Sequence, residues 1–295
     1  MKRKSVPPRF RSFTLNSLCI GSLLLGAILA YGQGVGGRAP QPQPTPAAPP
    51  STMDETQMIL GNRNRLGSSA PASSSHDSNC FLPPLTGMQT GTVEVADLQV
   101  PAKAQKDYDD GCEAVKNKKL AEAETHLRKV VKEYAKYAAA WVLLGQVLEA
   151  KQKTDEARDA CSHPLTALPN YLPAYLCLTD ISARLNRWDE VLKFSGRALE
   201  IDPTANAAAY AYNATAALNF HHLNDAEKSA LRALEIDSNH SDPRLHYLLA
   251  QVYAAKGDLA NATAQLREYL KVASDPDDAA VVKNYLAKLE GQSGK

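Results

Sequence analysis

The 295-residue sequence predicts an all-α fold, a solenoid of stacked helix pairs that begins near residue 101. One observation is a repeat: the pattern of small and apolar residues in 189–202 recurs in 225–237. The other is periodicity, because apolar residues beyond residue 101 recur at three- and four-residue steps, which is the spacing of one helix face. Self-similarity at a period of about 20 to 50 residues is typical of repeat architectures.

The repeat register is nearly constant along the chain. A small residue recurs near the start of each predicted second helix, with successive spacings of 34, 34, 35 and 36 residues: Ala123, Ala157, Val191, Ala226 and Ala262. The register predicts five units, at about 104–137, 138–171, 172–206, 207–242 and 243–275. No single helix pair can bury its apolar face alone, so the units are expected to stack on one another.

The second unit carries a recognisable motif. It has an aromatic residue, a Leu-Gly pair, a small residue and a closing proline in the order Trp141, Leu144, Gly145, Leu148, Ala157, Cys161, Pro169. This order closely resembles the tetratricopeptide repeat (TPR), with Cys161 in place of a large aromatic residue. The resemblance covers about residues 101–290 and implies a right-handed α-solenoid of helix–turn–helix units. Gly145 and Ala157 are expected to be small because the two helices of the unit cross closely there.

The last predicted helix is read as a solvating cap for the array. It spans about 276–291 and begins with the acidic pair Asp277 and Asp278. One predicted apolar stripe comprises Val281, Val282, Tyr285, Leu286 and Leu289. Repeat arrays need such terminal elements, because an uncapped end would expose its stacking surface.

The resemblance also implies a binding surface. In tetratricopeptide arrays the first helices of successive units line a concave groove that holds extended peptides or partner helices. The groove positions here are Tyr108, Cys112, Lys116, Val142, Gln146, Leu176, Asp180, Arg184, Ala211, Thr215, Asn219, Tyr247 and Gln251. The Lys and Asn residues with which chaperone-binding members clamp a carboxylate are absent. A different protein ligand is therefore expected, or the chain's own N-terminal arm lies in the groove.

Catalysis is not indicated. No phosphate-binding loop, nucleophile elbow or metalloprotease motif occurs, so no cofactor, metal or small-molecule substrate is expected. The net charge is +1, but five basic residues fall in the first eleven positions and leave a mildly acidic body, which disfavours nucleic acid. We expect a non-catalytic protein–protein scaffold of a bacterial envelope. The alternatives are a membrane-tethered assembly factor and, less favoured, an accessory subunit of an enzyme.

The N-terminus has the pattern of an export signal. Basic residues up to Arg11 precede an apolar run from Leu18 to Ala30, which is short for a membrane span of about 20 residues. Residues 1–32 are read as a signal peptide cleaved after Gly32, with an uncleaved anchor as the alternative. The predicted location is the periplasm or envelope, and membrane contact is expected only if this segment is retained.

Residues 33–90 are predicted to be a disordered linker, followed by an extended arm at 91–100. Pro, Gly and Ser are frequent between residues 33 and 100, and Phe81 is the only aromatic residue there. A segment with so few large apolar groups cannot offset the entropy cost of ordering itself.

Four cysteines remain after signal removal: Cys80, Cys112, Cys161 and Cys177. An exported chain permits two disulfides among them, with three possible pairings. We predict Cys161–Cys177, across two neighbouring helices, and Cys80–Cys112, which would hold the apolar cluster 81–85 over the first units of the groove. The alternative is that Cys161 and Cys177 are reduced core residues.

Overall fold

The computed structural model describes residues 80–85, 99–204, 206–237 and 242–293. Within these ranges the chain forms eleven α-helices and no β-strand, which confirms the predicted all-α class. The helices are α1 (Ala102–Lys116), α2 (Leu120–Glu133), α3 (Ala138–Ala150), α4 (Thr154–Ser162), α5 (Leu172–Arg184), α6 (Trp188–Ile201), α7 (Ala207–Asn219), α8 (Leu223–Ile236), α9 (Arg244–Ala255), α10 (Leu259–Val272) and α11 (Pro276–Ser293).

The predicted signal segment, most of the predicted linker and most of the arm at 91–100 lie outside the described residues. Among the helices that are described, none is both long enough and apolar enough to cross a bilayer.

The helices form an α-solenoid of five antiparallel pairs, α1–α2, α3–α4, α5–α6, α7–α8 and α9–α10, with α11 at the C-terminal end. Three of the first helices also pack against the next first helix, so α3 contacts α5, α5 contacts α7 and α7 contacts α9. This stacking explains the composition of the first helices. Ten of the thirteen residues of α3 are buried, because neighbours cover it on several sides, whereas the second helices bury a single stripe.

The turn inside each unit repeats with the same backbone geometry. One residue per turn has a positive φ, and these residues are spaced as the units are: Lys118, Gln152, Asn186, His221 and Gly257. The following N–H bonds to the carbonyl five residues earlier, as in Lys119 N to Ala114 O at 2.8 Å and Asp258 N to Tyr253 O at 2.9 Å. This is the Schellman ending of a helix, which satisfies its last carbonyls and sets the start of the second helix.

Gly145 lies at the predicted close crossing of α3 and α4. A β-carbon added there would overlap Cys161 Sγ and stand 3.1 Å from the carbonyl oxygen of Ala157. The helices therefore approach as closely as the Leu-Gly motif predicted, and Ala157 is fully buried beside them.

The final helix, α11, covers the end of the array. Val282, Tyr285 and Leu289 are buried, and the Tyr285 ring packs edge-on against Tyr247 with ring centroids 6.1 Å apart. Val281 was expected on the same stripe, but it is 44% exposed. The buried positions keep three- and four-residue steps, and Val281 precedes the first of them by one position, which turns it away from the core.

Candidate peptide-binding groove

The groove's first two units hold a segment of the chain itself. Residues 80–85 pack into the same buried apolar cluster as Tyr108, Val142 and Leu176. Phe81, Leu82 and Leu85 are buried, and Leu85 has no exposed surface. The range 33–90 that was predicted as linker therefore includes a packed segment, because these three apolar side chains are buried in the apolar cluster of the first units. We call residues 80–85 the groove segment.

Gln146 holds the backbone of the groove segment. Its side-chain Oε1 accepts a hydrogen bond from Leu82 N at 2.9 Å, and its Nε2 donates one to Leu82 O at 2.9 Å. Gln146 is 2% exposed, so the two polar groups of its side-chain amide would be costly to leave unpaired. Gln146 follows Gly145 in α3, where the close crossing with α4 fixes the helix.

Cys112 anchors the groove segment one unit earlier, at the position in α1 that corresponds to Gln146 in α3. Its sulfur pairs with Cys80, with the two Cα atoms 5.6 Å apart. The second pairing joins Cys161 of α4 to Cys177 of α5, with Cα atoms 6.0 Å apart. Both Cα separations fall within the range that disulfides require.

The third unit contributes a buried charge. Asp180, 4% exposed, accepts a hydrogen bond from Tyr212 Oη at 2.6 Å and another from Arg184 Nε at 3.3 Å. Burial disfavours the charged form of the Arg184 guanidinium, but the nearby carboxylate of Asp180 outweighs this cost and raises the pKa of Arg184. Since Tyr212 belongs to the next unit, the triad links the third and fourth units at the predicted groove positions.

The remaining predicted groove positions divide by exposure. Lys116 and Asn219 are exposed, and Ala211 is half-buried. Thr215 is buried and donates to Ala211 O at 2.8 Å.

The fifth unit places Tyr247 and Gln251 inside the packing. Tyr247 contacts Tyr269 and Tyr285 through its ring. Gln251 is 5% exposed, and its Oε1 has no hydrogen-bond partner among the described residues.

A buried carboxylate locks the first two units together. Glu124 of α2 accepts hydrogen bonds from Lys153 Nζ at 2.8 Å, from Lys151 Nζ at 2.5 Å and from Arg128 Nη2 at 2.9 Å. Burial by itself raises the pKa of Glu124, but these three cations outweigh it and lower the pKa to about 2. Both lysines lie in the turn between α3 and α4, so the network holds the spacing of the units that the groove segment bridges.

One cluster offers donor atoms for a cation. The ligand atoms of Asp107, Asp110 and His126 lie within 4.8 Å of one another on α1 and α2. Lys129 Nζ stands 3.8 Å from Asp107 Oδ1, and His126 Nδ1 stands 3.3 Å from the same oxygen. Further lysines line the surrounding cavity of about 740 Å³, so the local positive charge competes with a cation.

Sequence reasoning missed several of these groups. Tyr212 is one position beyond Ala211, the residue chosen in that unit, and its partner Asp180 is 32 residues away. Glu149 carries a buried Oε2 with no hydrogen-bond partner among the described residues, although it lies in α3 close to the positions that the resemblance selected. Glu124 adjoins the repeat position Ala123, and the three- to four-residue steps of its helix could have placed it near the buried face.

A family model described as the tetratricopeptide repeat matches residues 108–169 and 213–279. These residues are therefore tetratricopeptide repeats. Proteins of this family are generally interaction modules that bind other proteins.

Solved structures of other repeat proteins share the fold. PilW, a type IV pilus biogenesis factor, is 19% identical, with a TM-score of 0.58 over 65% of this chain and 87% of PilW. MamA from Desulfovibrio magneticus RS-1 is 15% identical, with a TM-score of 0.53 over 59% of this chain and 96% of that chain. TTC0263 from Thermus thermophilus is 19% identical, with a TM-score of 0.49 over 63% and 98% of the two chains.

These identities are low, so the similarity to PilW and MamA concerns the fold. No curated protein sequence matches the chain.

Proposed function

We propose that this protein is a non-catalytic interaction scaffold of the bacterial cell envelope, whose concave groove binds an extended peptide segment of a protein partner. One observation carries the proposal: Gln146 pairs with both main-chain groups of Leu82, and the surrounding apolar surface buries that segment's side chains. A groove that holds one segment through its main chain and buries its apolar side chains has the chemistry needed to bind another.

The envelope location rests on the sequence. The basic stretch and apolar run before Gly32 have the pattern of an export signal, and cysteine pairs suit an oxidising compartment. Intact-mass analysis of the protein from its native host tests this part. We expect a chain that begins at Gln33, whereas a chain that retains residues 1–32 would support a membrane-tethered protein instead.

Site-directed photo-crosslinking in the native host tests the groove. A photoreactive side chain replaces Lys116 or Asn219, which are exposed groove positions, or Lys193 or Leu231, which lie on second helices. We expect a discrete partner adduct from at least one of the two groove positions and none from the two second-helix positions. Adducts that form only from Lys193 or Leu231 would overturn the assignment of the groove as the binding surface.

A further inference from the structure

We propose that the groove segment occupies the place of a partner peptide, and that the Cys80–Cys112 disulfide decides whether the partner or the segment is bound. This inference rests on the proposed function and specifies its ligand. The first two units, which contain Gln146, are closed to other ligands while residues 80–85 lie there. A partner that uses these units must therefore replace the segment.

The contacts define the chemistry of that partner. Gln146 binds the N–H and the C=O of a single residue, and in a helix interior both groups are already used within the helix. The partner must therefore be non-helical at this point, as Leu82 is, whose carbonyl oxygen also accepts from Leu85 N at 3.0 Å in the turn that follows. It must also have a residue other than proline at the position of Leu82, because proline has no N–H.

The buried side chains of the groove segment restrict the sequence of the partner peptide further. Phe81, Leu82 and Leu85 are buried, whereas Pro83 is exposed. We therefore expect an aromatic residue, an aliphatic residue and a second aliphatic residue three positions later. The groove segment contains no charged residue, and its main-chain partner Gln146 is neutral. Binding of such a peptide should depend little on ionic strength, unlike binding through exposed ion pairs.

The disulfide controls competition because it makes the segment a covalently held ligand. A tethered ligand acts at an effective concentration in the millimolar range even through a flexible linker, and a covalent bond inside the site restrains it further. Thiol–disulfide exchange with a dithiol breaks the Cys80–Cys112 bond and so removes this covalent restraint on the segment. Its thiolate attacks Cys80 Sγ and releases the Cys112 thiolate, and its second thiol then displaces Cys80. The protein gains two thiols, and the dithiol is oxidised by two electrons to a disulfide.

Peptide binding to the full chain tests the proposal. The probe is the fluorescent peptide Ser-Phe-Leu-Pro-Pro-Leu, and the measurement is fluorescence anisotropy. The proteins are the oxidised wild type, C80S/C112S, and an arm-disrupted variant that adds F81S, L82S and L85S to C80S/C112S. We expect saturable binding to the arm-disrupted variant, binding at least about tenfold weaker to C80S/C112S, and no binding to the oxidised wild type.

Two controls address the mode of binding. Replacing the first Leu of the peptide by Pro should abolish binding to the arm-disrupted variant, because Gln146 Oε1 loses its donor. Raising the salt from 50 to 500 mM, on the order of a threefold change in Debye length, should leave the affinity of the original peptide within about twofold.

The outcomes separate the two proposals. Equal binding to the oxidised wild type and to the arm-disrupted variant would overturn disulfide control and leave the groove function intact. No binding to an arm-disrupted variant with a native circular dichroism spectrum would overturn the groove function itself.

A trapping experiment covers the case in which the arm-disrupted variant does not fold. The single variant C80S leaves the Cys112 thiol in place, and the peptide Cys-Phe-Leu-Pro-Pro-Leu is added in a thiol–disulfide buffer. Mass spectrometry should show the peptide bound to Cys112, and a scrambled peptide that keeps its N-terminal Cys should give far less adduct. Equal trapping of the two peptides would contradict recognition of the sequence.

Discussion

Gly145 packs directly beneath the sulfur of Cys161, so a β-carbon at Gly145 would overlap Cys161 Sγ. Cys161 is itself paired with Cys177 in the next helix and cannot swing away freely. We expect Gly145→Ala to lower the free energy of unfolding by about 1–3 kcal/mol through overpacking. The measurement is chemical denaturation followed by circular dichroism.

Gly196→Ala is the matched control. Gly196 is also inside a helix, and an added β-carbon there meets nothing within 4 Å. This change should raise stability by about 0.5–1 kcal/mol, because alanine restricts the unfolded chain. If both variants change stability equally, the close crossing does not limit the size of residue 145.

Stability should fall on acidification as Glu124 takes up a proton. Its pKa is about 2 in the folded chain and near 4.5 in the unfolded chain, so its contribution is complete above about pH 5 and is lost as the pH falls towards 2. We expect Glu124→Gln to cost about 1–3 kcal/mol at pH 7, and wild type and variant to converge near pH 2. Chemical denaturation of both proteins between pH 2 and pH 7 measures the stability difference and its convergence.

Glu122→Gln serves as the control for this series. The side chain of Glu122 is 51% exposed and pairs with Lys119 on the same surface. Its removal should change stability by less than about 0.5 kcal/mol at every pH. A parallel pH dependence in the Glu124 and Glu122 variants would refute the role of the buried carboxylate.

Non-reducing peptide mapping should recover Cys80 joined to Cys112 and Cys161 joined to Cys177. The Cys161–Cys177 bond spans 16 residues, for which chain-entropy models give about 3 kcal/mol. In C80S/C112S, a reductant should therefore lower the melting temperature. The variant that also carries Cys161→Ala and Cys177→Ala lacks this bond, so a reductant should leave its melting temperature unchanged. Free thiols on all four cysteines, or Cys80 joined to Cys177, would contradict this pairing.

Gly257→Ala should destabilise the protein although the surrounding space is open. Gly257 has a φ of +79°, and an added β-carbon meets no atom within 4 Å. The expected loss is about 1 kcal/mol, from the backbone alone. Gly257→Asn should cost less, since asparagine tolerates this conformation as Asn186 does in the equivalent turn. If Gly257→Ala and Gly257→Asn lose equal stability, the positive φ at residue 257 is not the cause of the loss.

The parts of the fold that follow from local pattern could be predicted from the sequence. Gly145 in a leucine-rich helix predicted the close crossing because a glycine there costs helix stability and must serve packing. The predicted Cys80–Cys112 pairing placed residues 81–85 over the first units, but nothing in the helix pattern fixes the contact between Gln146 and Leu82, which spans 64 residues. The same holds for Tyr212 and Asp180, whose pairing depends on the rotation of one unit relative to the next.

The groove segment also redefines where the domain begins. A linear array has two stacking ends, and α11 closes the C-terminal one. Residues 80–85 add Phe81, Leu82 and Leu85 to the apolar cluster of the first units, so part of that core is encoded outside the repeats. A fragment cut at residue 101, where the repeats begin, would lose these three side chains from the cluster that also contains Tyr108 and Val142. For expression and crystallisation, the useful N-terminal boundary therefore lies before Cys80.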